Sequence, residues 1–91
     1  MKETEKLHNF ERHTFDIVQK MVLDAGASLG KYWKLDYKRE KGSVSERVYS
    51  TVSVLDGERT VYRSEMCDNV SEACMFVVAF VKGVKAATER I

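Results

Sequence analysis

Apolar residues recur at helical spacing over the first part of the chain. Leu7, Phe10, Thr14, Ile17, Val18, Met21 and Ala25 form one stripe of an amphipathic helix. That pattern predicts a helix from about Thr4 to Ala27, with Glu11, Arg12, Asp16, Gln19, Lys20 and Asp24 on its solvated face. Phe15 and Val22 fall beside the stripe and widen it or form a second patch. Gly26 and Gly30 bracket the expected end, because glycine accepts the left-handed backbone used at helix C-termini.

From Lys31 the period becomes two: Trp33, Leu35 and Tyr37 alternate with Tyr32, Lys34, Asp36 and Lys38, which predicts a first strand. Glu40-Lys41-Gly42-Ser43 reads as a turn, and Val48, Val52 and Val54 mark the inward side of a second strand. Asp56-Gly57 is a hairpin signal, since a type I′ turn needs positive φ at both central residues, and a third strand follows from about Glu58 to Met66. With a four-residue first loop, Arg39 faces Val44 and Leu35 faces Val48. With a two-residue second loop, Leu55 faces Glu58, Val52 faces Val61 and Thr51 faces Tyr62. Both registers place Trp33, Leu35, Tyr37, Val48, Val52, Val54 and Val61 on one face, and a one-residue slip would destroy that agreement.

Asn69-Val70-Ser71-Glu72 has the form of a capping box, so a second helix is expected from there to about Arg90. Its run Ala73-Cys74-Met75-Phe76-Val77-Val78-Ala79-Phe80-Val81 is apolar all round, more than the stripe of roughly 100° that packing on a sheet requires. Two placements meet that surplus: a helix wrapped by the rest of the fold, or a subunit interface. In a chain of 91 residues there is little protein to wrap with, which favours a two-fold homodimer contact through Met75, Phe76, Ala79, Phe80 and Gly83. The predicted order is α-β-β-β-α. The fold class is α+β, one domain over residues 1–91: a three-stranded antiparallel meander with two helices packed on one face.

Charge changes this picture little. Fifteen Lys and Arg against fourteen Asp and Glu leave a formal net charge of +1, so no global field steers the chain toward nucleic acid or anionic lipid. The charged start Met1-Lys2-Glu3-Thr4-Glu5-Lys6 lacks the apolar stretch of a signal peptide, and the apolar run of the second helix is shorter than the roughly 20 residues that span a bilayer. Cys67 and Cys74 match no zinc or redox spacing and are expected reduced. Cytoplasmic location follows, with no membrane contact.

Chemical motifs are sparse. His8 and His13 lie five apart, outside the i, i+4 spacing that lets two imidazoles share a metal. No serine sits in a nucleophile elbow, and Lys41-Gly42-Ser43 lacks the upstream glycine of a phosphate loop. The expectation is a non-enzymatic chain with no catalytic residue, cofactor or metal. The face of the sheet away from the core is expected to carry Tyr32, Lys34, Lys38, Arg47, Tyr49, Thr51, Ser53, Thr60, Tyr62 and Ser64. Of these, Tyr32, Lys34, Lys38, Arg47, Tyr49 and Tyr62 are the candidate partner-binding residues, since Tyr and Arg are enriched at interaction hot spots. Tyr, Lys and Arg interleaved on a sheet also suit base stacking and phosphate contacts. Arg39, Lys41 and Arg47 gather positive charge at the first hairpin, offset by Glu40 and Glu46.

The α-β-β-β-α order is similar to that of double-stranded-RNA-binding domains, a resemblance that covers nearly the whole chain but no residue motif. It implies both helices on one face of the sheet. Where that family has a lysine-rich start to its last helix, this chain reads Cys67-Asp68-Asn69-Val70-Ser71-Glu72, and the loop that would enter a minor groove is reduced to Glu40-Lys41-Gly42-Ser43. The resemblance therefore implies a topology rather than RNA binding. The function expected is that of a small homodimeric adaptor or inhibitor, of the size common on phages and mobile elements, binding another protein through the open sheet face and first hairpin. Nucleotide or single-stranded nucleic-acid binding through the same face is the alternative.

Overall fold

A computed structural model describes residues 7–42, 44 and 47–89. It contains α1 (Asn9–Ser28), β1 (Trp33–Lys41), β2 (Val48–Asp56), β3 (Arg59–Arg63) and α2 (Val70–Glu89), in the expected order α-β-β-β-α. The strands form one antiparallel sheet in the order β1-β2-β3. Both helices pack on its inner face, where Phe15, Val18, Val22, Trp33, Leu35, Val52, Val54, Val70, Val77 and Val81 are buried. No helix among the described residues is long and apolar enough to cross a membrane.

The rotation of α1 differs from the predicted stripe. Its buried seam is Glu11, Phe15, Val18, Val22, Ala25 and Gly26, whereas Phe10 and Ile17 are 74% and 48% exposed. A carboxylate explains the difference. Glu11, expected on the solvated face, is buried and accepts hydrogen bonds from the Val70 N–H at 2.8 Å, from the His8 N–H at 3.2 Å, and from Arg39 on β1 at 3.3 Å to each oxygen. Glu11 thus joins the N-terminus of α1, the end of β1 and the N-terminus of α2. Anions are favoured where helix N–H groups lack intrahelical acceptors. Arg39, expected in an exposed cationic cluster, is the inward counter-ion. The expected start at Thr4 lies outside the described residues; Leu7 and His8 precede the helix.

The two glycines at the C-terminal end of α1 have separate explanations. Gly30, at φ +71°, donates to Ala27 O while Lys31 N–H reaches Gly26 O at 2.8 Å, the paired bonds of a Schellman motif. Gly26 lies inside the helix for another reason: a Cβ there would meet Trp33 Cγ at 2.8 Å and Trp33 N at 3.0 Å. It lets α1 approach the first residue of β1. On α2, Asn69 Oδ1 accepts the Glu72 N–H at 2.8 Å, the expected cap. The expected last residue, Arg90, is outside the described residues.

Both hairpin registers differ from expectation, with opposite consequences. β1 continues through Glu40 and Lys41, where a turn was predicted, and Gly42 N–H to Arg47 O at 3.0 Å closes the ladder beyond it. Leu35 therefore faces Val54 instead of Val48, and Arg39 faces Ser50 instead of Val44. This displacement is even, so the inward set of β1 survives, although Val48 at the strand end is exposed. The second hairpin turns at Gly57-Glu58, with Asp56 opposite Arg59, and only Gly57 has positive φ, as in a type II′ turn. Leu55 then faces Thr60 but Val54 faces Tyr62, so Val61 is an extra residue in β3. From this bulge onward every side chain changes face.

Two expectations on the open face are overturned as a result. Tyr62 points inward and stacks on Phe80 of α2, with ring centroids 4.7 Å apart and planes at 12°. Ser64 also turns inward, its Oγ accepting the Val52 N–H at 3.0 Å while its own N–H donates to Val52 O at 2.9 Å. Arg63 takes the open face, opposite Ser53. A further bridge, Ser50 with Cys67, carries the pairing to the start of α2.

Glu11→Ala should cost about 3 kcal/mol or more in denaturant unfolding, because Arg39 loses its carboxylate inside the fold and the Val70 N–H loses its acceptor. Glu11→Gln, which keeps an acceptor, should cost less. Two glycine substitutions should move the midpoint in opposite directions. Gly26→Ala forces a methyl against Trp33 and should lose about 1–3 kcal/mol. Gly83→Ala, where nothing lies within 4 Å, should gain up to about 1 kcal/mol.

Candidate functional site

The outer face of the sheet carries no helix, and a groove of about 520 Å³ lies along it. Its floor comes from alternate residues of β2, Tyr49, Thr51, Ser53 and Leu55, which face away from the core because Ser50, Val52 and Val54 face into it. Asp36, Lys38 and Glu40 of β1 form one wall. Thr60, Arg63, Glu65 and Met66 form the other. A second concavity, of about 510 Å³, begins where the first ends and is lined by Arg47, Tyr49, Met66, Cys67, Asp68, Glu72, Met75 and Phe76. Tyr49 and Met66 belong to both, so the two are one surface running from the open sheet to the first turns of α2.

Its charges are largely spent on each other. Lys38 Nζ lies 2.7 Å from Glu40 Oε1, and this bond together with the Lys38 charge holds the Glu40 carboxyl below its ordinary range, with Arg63 adding to the effect. Arg47 pairs with Asp68 and stands 5.9 Å from the centre of the Tyr49 ring. The Cys67 thiol, whose Sγ donates to Glu65 O at 3.4 Å, is pushed up by burial and then by the negative charges of Glu72, Glu65 and Asp68. Cys74, wholly buried on α2, is pushed up to about 11 by burial and by Glu11. Neither environment favours a thiolate. Among the described residues no three His, Cys, Asp or Glu side chains converge as a metal site would require.

The six candidate binding residues divide. Lys38, Arg47 and Tyr49 come together on this surface. Lys34 lies on the open face but does not line the groove, and Tyr32, 76% exposed, precedes β1. Tyr62 is half-buried against the core. The residues expected at a dimer contact divide as well. Phe80 is held within its own chain by Tyr62 and by Trp33 at 5.8 Å, whereas Met75 and Phe76 line the second concavity. Ala79 and Gly83 are exposed on the outer side of α2. Among the described residues nothing lies within 4 Å of where a Cβ on Gly83 would be.

Sequence reasoning missed Met66, 69% exposed, together with the wall residues Arg63 and Glu65. Met66 carried a usable signal, an apolar side chain between the third strand and the helix cap. The position of Arg63 depends on the bulge and had none. Compared with protein-family models, curated proteins and solved structures, the chain matches none.

Thiol labelling checks this geometry. At pH 8 both thiols are protonated, so a disulfide reagent should modify Cys67 slowly in the native protein and faster as pH rises. Cys74 should react only when denaturant opens the core. Two equivalent fast thiols in native buffer would contradict the packing of α2.

Proposed function

We propose that this chain is a non-enzymatic protein-binding module, an adaptor or inhibitor, which holds another protein against the open sheet face and the first turns of α2. The observation that carries this reading is the continuity of the two concavities through Tyr49 and Met66. Together they expose the apolar side chains of Tyr49, Leu55, Met66, Met75 and Phe76 rimmed by charge, the anatomy of a protein interface. Methionine suits such a floor because its unbranched thioether adapts to a partner's shape. Lys38 and Arg47 each pair with a neighbouring carboxylate instead of converging on a point where a reacting atom would sit, which supports binding over catalysis. Nucleic acid is less well served. Tyr62 is turned inward and Tyr32 stands apart, so the stacking platform reduces to Tyr49. Two unpaired thiols fit a reducing compartment, and we place the protein in the cytoplasm.

A photo-cross-linker at Thr51 should trap a specific protein that one at Ile17, on the helical side, does not. With that partner purified, Tyr49→Ala or Met66→Asp should weaken binding by about 2 kcal/mol, as for a hot spot. Trapping from Ile17 alone would place binding on the helices and overturn the proposal.

A second reading, self-association through the outer side of α2, is favoured by Gly83. It weakens a helix without a compensating contact in its own chain, and it shares that side with Ala79 and the 55% exposed Met75. Sedimentation equilibrium should then give a dimer for the wild type and a monomer for Ala79→Glu. A monomer at all concentrations removes this reading.

A further inference from the structure

The surface described above has a sign. Once Lys38 is assigned to Glu40 and Arg47 to Asp68, the charges left among the described residues that line it are the carboxylates of Asp36, Glu65 and Glu72 against Arg63, with Lys34 on the open face beyond the groove. Arg63 is itself close enough to Glu40 to lower that carboxyl. The Cys67 thiol, which lines the second concavity, is pushed up first by burial and then by the negative charges of Glu72, Glu65 and Asp68. Carboxylates thus predominate beside the exposed apolar side chains of this surface, on a protein whose formal net charge is only +1.

We propose that the occupant of this surface is a cationic amphipathic segment of the partner protein, whose apolar side chains seat against Met66 and Met75 and whose Lys or Arg side chains meet Asp36, Glu65 and Glu72. The inference rests on the protein-binding reading and adds the chemistry of the partner. Two features select this class. Exposed methionines accept irregular apolar side chains without requiring one shape, as grooves that take amphipathic helices do. Carboxylates on the rim steer a basic segment and repel an acidic one. A nucleic-acid backbone would meet the same repulsion, with Arg63 the one unassigned cation among the described residues that line the two concavities.

The test uses methyl-labelled methionine in the intact chain and three probes: a designed Lys/Leu amphipathic peptide, a Glu/Leu peptide with the same apolar positions, and an oligo-dT strand. The Lys/Leu peptide should shift the Met66 and Met75 methyls saturably and leave Met21, on α1, unmoved. Glu65→Lys combined with Glu72→Gln should weaken that binding by about tenfold, with the Met21 methyl of the free variant where it is in the wild type, because both substituted positions are exposed. Binding that survives the double substitution, or the absence of any Met66 and Met75 shift with the Lys/Leu peptide, overturns the proposal. If the Glu/Leu peptide alone shifts the same methyls, the cationic preference is wrong and the protein-binding reading stands. If only oligo-dT shifts them, both fall.

Discussion

The fold depends on where one carboxylate is held. Glu11 lies in the first turn of α1 and accepts from the first residue of α2, so a single negative charge serves two helix N-termini that would otherwise meet with like partial charges. Arg39 brings a compensating charge from β1. Burying an ion pair is seldom a net gain over a well-packed apolar cluster, and its use here is geometric. It determines which side of α1 faces the sheet. Arg39 meets Glu11 from β1, on the same side of that strand as Leu35 and Tyr37. The inward positions of Phe15 and Val18 and the exposure of Phe10 and Ile17 go with that rotation.

The candidate surface is the reverse side of the same arrangement. With both helices on one face, the other face of β2 has no cover, and the residues between β3 and α2 extend that face toward the helix. The Ser50–Cys67 bridge holds this extension in place, positioning Met66 beside Tyr49 and the first turns of α2. The exposed sulfur and ring atoms are therefore mounted on hydrogen-bonded backbone. A rigid platform with adaptable side chains suits recognition, since less ordering is needed when a partner arrives.

What could be read from the sequence was what depends on near neighbours. The five elements, the Asn69 cap, the Gly30 helix stop and the inward set Trp33, Leu35 and Tyr37 all follow from patterns a few residues long. What could not be read depends on distant ones. Glu11 meets Arg39 across 28 residues and Val70 across 59, and nothing in its surroundings marks it as buried. Tyr62 looked outward by strict alternation, and a single bulged residue reversed it. Of the candidate surface, Lys38, Arg47 and Tyr49 were legible because they lie on predicted strands or beside them. Their junction with Met66 and Met75 arises only when the chain closes.

The bulge at Val61 gives the molecule an unusual economy of change. On either side of it, β3 alternates in opposite phase, so the choice between a tyrosine and an arginine on the open face is made by the count of residues in one short strand. Deleting Val61 would remove the bulge and leave Tyr62 opposite Val54 and Arg63 opposite Ser53, whereas one residue inserted after it would carry Tyr62 to the position opposite Ser53 and onto the open face, with the order of elements intact. The side chains that the open face presents thus change with the length of one short strand as well as with its letters.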